Sequence, residues 1–92
     1  MGNKFQTKLD YFQKGLDKTF ADLDRNSYRQ FIHMKWISQH KRGVIQSTVI
    51  TLEDSENKLA EAKAEGTALL TKLGLYAIIV DSIKRLKEME EQ

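Results

Sequence analysis

Two histidines, the single tryptophan and four basic residues fall within RQFIHMKWISQHKRG, residues 29–43, without one acidic side chain among them. Imidazoles ligate metals and an indole flanked by cations stacks on nucleic-acid bases, so these are the two chemistries to weigh first. His33 and His40 are seven residues apart, which on one helix leaves them about 10.5 Å from each other, too far for one ion to bridge. No Asp, Glu or Cys lies nearby in sequence to complete a ligand set, so no metal centre and no cofactor are expected. Arg29, His33, Trp36 and His40 step by 4, 3 and 4 and form one helical stripe, with Arg25 before it and Lys41 and Arg42 just past its end. Those seven residues are the candidate contacts for an anion or a nucleic acid.

The same stretch has a packing interpretation. Tyr28, Phe31, Ile32, Trp36 and Ile37 spread apolar side chains over more than half the circumference of a helix, as in a helix touched by neighbours on two faces. The charged heads would then snorkel at the rim.

Catalysis finds little support. The carboxylate pairs Glu53 with Asp54 and Glu61 with Glu65 lie in polar helical runs, where a solvated surface is the ordinary reading. There is no glycine-rich phosphate loop, nucleophile elbow or ligand cluster, and an enzyme is not expected. The absence of cysteine excludes disulfide frameworks, thiolate nucleophiles and cysteine-ligated metals. Gly2 follows the initiator, but Gln6 stands where the myristoylation pattern needs Ser or Thr. No apolar run approaches the roughly 20 residues that span a bilayer, and the N-terminus lacks the apolar core of a secretory signal, so a soluble, cytoplasmic protein without a membrane partner is expected.

The net charge of +2 is unevenly distributed. Residues 1–24 balance four Lys against four Asp, residues 25–52 carry five basic residues and no acid, and residues 53–92 carry six basic and nine acidic residues. A basic middle and an acidic C-terminal part suit either an anionic partner or charge pairing within the protein itself.

The elements that must position these residues are helical. With no proline and no Asn-Gly or Gly-Gly hairpin signal, an all-β domain is disfavoured. Phe5, Leu9, Phe12, Leu16, Phe20 and Leu23 recur at steps of 3 and 4 on one stripe. Ser27 and Gln30 have capping-box spacing, so DRNS predicts a turn at 24–27. A second 3-and-4 series runs through Phe31, Met34, Ser38, Lys41, Ile45, Thr48, Leu52, Ser55, Leu59, Ala62, Gly66, Leu69, Leu73, Tyr76, Val80 and Ile83. HKRG has the order of a helix C-terminus, and VIQSTVITL leaves 44–52 open as helix or as an intersubunit strand. A bend is expected near Gly74, followed by a last helix with Leu75, Ile79, Ile83, Leu86 and Met89 inside.

The expectation is therefore a single all-α domain over 1–92, a small helical bundle or helical hairpin. It comprises an N-terminal amphipathic helix at about 3–24, a long helix at about 27–73 that can break near Gly43, and a helix at about 75–90. Its apolar faces exceed what a 92-residue monomer hides, so an oligomer is expected. The expected function is a non-enzymatic helical protein–protein interaction or assembly module, such as an adaptor, assembly factor or inhibitor, whose partner is a second copy or another protein. Nucleic-acid binding through 25–42 is the alternative. The residues expected to carry association are Phe5, Phe12, Phe20, Phe31, Trp36, Ile45, Val49, Leu69, Ile79 and Ile83.

Overall fold

A computed structural model describes residues 4–43 and 51–91 and shows an all-α protein of two helices in contact, with no strand among the described residues. Helix α1 runs Lys4–Lys41 and helix α2 runs Leu52–Glu91, the elements of a helical hairpin. Helix α1 joins the expected N-terminal helix to the first part of the expected long one, and α2 joins the second part of the long one to the expected last helix. The turn predicted at 24–27 is absent and α1 passes through it; neither Pro nor Gly interrupts DRNS. Ser27 does not cap a new helix but lies inside α1, and its neighbour Asn26 turns inward and is 2% exposed. Nor does Gly74 bend α2, which continues to Glu91.

The helix ends follow local chemistry. At the end of α1, Arg42 N–H donates to the Ser38 carbonyl and Gly43 N–H to the His40 carbonyl, both at 3.1 Å. Gly43 sits at φ 72°, the left-handed conformation that closes a helix without a Cβ clash. The HKRG terminus is thus where the sequence places it. The start of α2 is a capping box: Thr51 N–H donates to Asp54 Oδ2 (3.2 Å), and Asp54 N–H donates to Thr51 Oγ1 (3.1 Å). Hydrogen bonding to its carboxyl, from the Thr51 backbone N–H first and the Thr51 side chain next, holds Asp54 below the ordinary aspartate range. The choice between helix and strand for 44–52 falls mainly on 44–50, outside the described residues.

The contacts along the chain group into two compact units. The first joins Met1–Asp22 with Leu69–Gln92. Here α1 presents Phe5, Leu9, Phe12, Leu16 and Thr19, and α2 presents Leu69, Leu73, Tyr76, Val80 and Ile83, all buried or half-buried. The Tyr76 ring centroid is 6.2 Å from that of Phe12. It covers Gly15 so closely that a Cβ there would lie 2.7 Å from the ring. Thr19, 1% exposed, satisfies its hydroxyl by donating to the Gly15 carbonyl at 2.7 Å. Lys87 Nζ donates to Gln6 Oε1 at 2.7 Å, so the seam of this unit ends in a polar contact.

The second unit, Leu23–Ala68, is built differently. On α1 the inward positions are Leu23, Asn26, Gln30, His33, Ile37 and His40; on α2 they are Leu52, Ser55, Leu59, Ala62 and Gly66. Large polar side chains on one helix thus meet small residues on the other. Asn26 Nδ2 donates to the Ala62 carbonyl at 2.8 Å, while its Oδ1 accepts from Gln30 Nε2 at 2.7 Å. A Cβ on Gly66 would lie 2.6 Å from that Oδ1, so this close approach requires glycine. A buried, satisfied amide at a seam position fixes which residues face each other, because a shifted register would strand it unpaired.

Candidate functional site

The residues expected to carry association separate into two groups. Phe5, Phe12, Leu69, Ile79 and Ile83 are buried or half-buried within the first unit, where they serve the protein's own core. Phe20 and Phe31 are more than half exposed. Thr19 replaces Phe20 at the seam because a continuous helix carries the spacing from Leu16 through Thr19 to Leu23. Phe31 and Met34 are outward for a related reason: restarting a helix at 27 shifts the phase by one residue, about 100°, from the real seam of Gln30, His33 and Ile37. Trp36 is half-buried, with its ring 6.3 Å from that of His40. Ile45 and Val49 lie outside the described residues.

The basic segment is partly absorbed by the protein itself. Arg29 Nη1 lies 2.6 Å from Glu65 Oε2, an ion pair between α1 and α2 within the second unit, with both side chains about half exposed. His33 and His40 are half-buried at seam positions, and His40 Nε2 is buried without a hydrogen-bond partner among the described residues. Among those residues no group of three metal-ligating side chains converges. Arg25 is exposed, Lys41 is exposed, and Arg42 donates to Ser38 Oγ at 2.9 Å. Lys41 and Arg42 form one rim of a shallow depression of about 390 Å³ floored by Met34, Ile37 and Leu59.

A different surface stands out on α2. Leu75, Ile78, Leu86 and Met89 are 59%, 66%, 49% and 70% exposed. With Ser82 they step by 3, 4, 4 and 3, which aligns them in one stripe on the side of α2 away from Tyr76, Val80 and Ile83. The expectation that Leu75, Leu86 and Met89 face inward is therefore corrected. Tyr76 and Val80 take that side because the seam spacing continues through Gly74 without a bend. Within α2 an 18-residue window reaches a mean hydropathy of 1.4 and is 17% buried, so by length and composition alone it would be apolar enough to cross a membrane. Lys72 and Asp81 interrupt the apolar stretch, which owes its hydropathy to two opposed apolar faces.

The sequence series found the inner face of α2 and missed the outer one. The signal was present in the spacing of Leu75, Ile78, Leu86 and Met89, but the assumed bend at Gly74 assigned three of these residues to the core. No protein-family model, curated protein or solved structure matches the chain.

Proposed function

We propose that the protein is a non-enzymatic helical interaction module that assembles with protein through the outward stripe of α2. The observation that carries this reading is the alignment of Leu75, Ile78, Leu86 and Met89, each about half exposed or more, on one helix face that the described residues leave uncovered. Single exposed apolar residues are ordinary on a protein surface, but two pairs of large ones on one stripe, on either side of Ser82, suit a contact surface. Burying one such side chain contributes roughly 1.5–3 kcal/mol, so the row can drive association. Phe20 and Phe31 on α1 add exposed apolar surface of the same kind. This reading is preferred to nucleic-acid binding because Arg29 already has an acidic partner in Glu65, and His33 and Trp36 are half-buried.

The test compares the wild-type chain with Ile78→Glu/Leu86→Glu by native size fractionation of extract from the source cells, with helicity of the purified proteins as the control for folding. The wild type is expected in a species heavier than its 10.7 kDa and the variant at the monomer position. Identical migration of the two, with helicity retained, removes the proposal.

A further inference from the structure

Three glycines lie inside the helices among the described residues, and two are explained by the chain itself: Gly15 lies under Tyr76, and Gly66 admits Asn26. Gly74 has nothing within 4 Å of the place a Cβ would occupy. A helix-interior glycine is unfavourable relative to alanine, so one without an internal contact needs another explanation. Gly74 sits beside the outward stripe, one residue before Leu75. There it would let a second helix approach the backbone closely.

From this, we infer that the occupant of the stripe is a second copy of the same chain, with the two α2 helices packed antiparallel about a two-fold axis near Ser82. The inference rests on the interaction reading above and names its partner. In such a pair Leu75 of one copy meets Met89 of the other, Ile78 meets Leu86, and Ser82 meets itself. The apolar row is therefore complementary to its own reverse, as a two-fold interface requires.

The charges beside the row obey the same symmetry. Lys72 and Glu90 lie on one flank of the stripe, and Asp81 and Arg85 on the other. Antiparallel packing brings like flanks together, so Lys72 of each copy faces Glu90 of its mate and Asp81 faces Arg85. Asp81 and Arg85 already pair within the helix, Arg85 Nε lying 3.1 Å from Asp81 Oδ2, and the mate would extend this pair into a four-charge cluster. The opposed helix dipoles also favour the antiparallel order.

The chain has no cysteine, so introduced thiols report geometry directly. Purified wild-type protein is first sedimented over a micromolar concentration series, where a species of about twice 10.7 kDa is expected. Ile78→Glu should raise the dissociation constant roughly tenfold or more. Gly74→Ala should weaken the dimer while raising helical stability, an outcome that a purely internal role for Gly74 does not give. Under oxidation, a mixture of Leu75→Cys and Met89→Cys chains should cross-link to each other, and neither should cross-link alone. Self-cross-linking by each single variant overturns the antiparallel order but leaves association through the stripe standing. A purified monomer at every concentration, whether or not it floats with vesicles of mixed zwitterionic and anionic lipid, overturns the second copy as occupant. The extract comparison above then decides the broader reading independently.

Discussion

Replacing Gly66 with alanine sets two well-defined effects against each other. Alanine inside a helix is favoured over glycine by about 1 kcal/mol, so a surface site would gain stability. At position 66 the new methyl would lie 2.6 Å from Asn26 Oδ1 and 3.0 Å from Gln30 Nε2. Asn26 has little room to give, because it is 2% exposed and tied to the Ala62 carbonyl and to Gln30. Overpacking a tight contact costs about 1–3 kcal/mol. Leaving the buried amide without its partners costs about another 1–3 kcal/mol. The net expectation is destabilisation of about 1–5 kcal/mol, seen as a lower Tm by circular dichroism at roughly 4–8 °C per kcal/mol. The mechanism has its own control: in an Asn26→Ala background the methyl has space, so Gly66→Ala should become neutral or stabilising by up to about 1 kcal/mol. A stabilising Gly66→Ala in the otherwise native chain, or an equal penalty in both backgrounds, refutes the reasoning.

Other outcomes follow from single contacts. Asp54 has its pKa lowered in the folded state, so its contribution is present above the unfolded value and is lost as pH falls through the folded one. The Tm of wild type should therefore fall more steeply than that of Asp54→Asn between about pH 5 and about pH 3, and parallel curves would contradict the cap assignment. Thr51→Ala should cost about 0.5–2 kcal/mol in chemical denaturation, whereas Ser27→Ala, at the position that sequence spacing marks as a cap, should be nearly silent. Breaking the half-exposed Arg29–Glu65 pair with Glu65→Gln should change stability by no more than about 1 kcal/mol, with the difference shrinking in salt. Labelled single-stranded DNA should show no retention that depends on Trp36 and Arg42 near 50 mM salt; a salt-sensitive loss in Trp36→Ala would revive the basic segment as a contact surface.

Much of this fold was legible because α2 advertises it. Every member of the 3-and-4 series within that helix, from Leu52 and Ser55 through Ala62 and Gly66 to Val80 and Ile83, is buried or half-buried. Small and polar members of the series are as informative as leucines once a partner helix comes close. The same lesson explains the failures in α1. Asn26 and Gln30 are seam residues whose polar side chains resemble a surface, and the Ala62 carbonyl and Gly66 lie opposite them. Treating Ser27 as a cap displaced the phase by one residue and turned Phe31 and Met34 inward on paper. The true cap, Thr51 with Asp54, was hidden because Leu52 continued an apolar spacing extrapolated from 45 and 48. Charge pairing within the protein accounts for part of the basic stretch: Arg29 meets an acid of the C-terminal part, Glu65. The outward stripe of α2 was the feature least visible, since a helix apolar on two opposed sides gives no single periodic face to read.

The most direct test of the central claim is sedimentation equilibrium of the purified wild-type chain beside Ile78→Glu, over about 1–100 μM with helicity verified for both. The outward stripe predicts a wild-type mass that rises with concentration toward twice 10.7 kDa while the variant remains at the monomer mass. Coincident masses for the two proteins at every concentration contradict it.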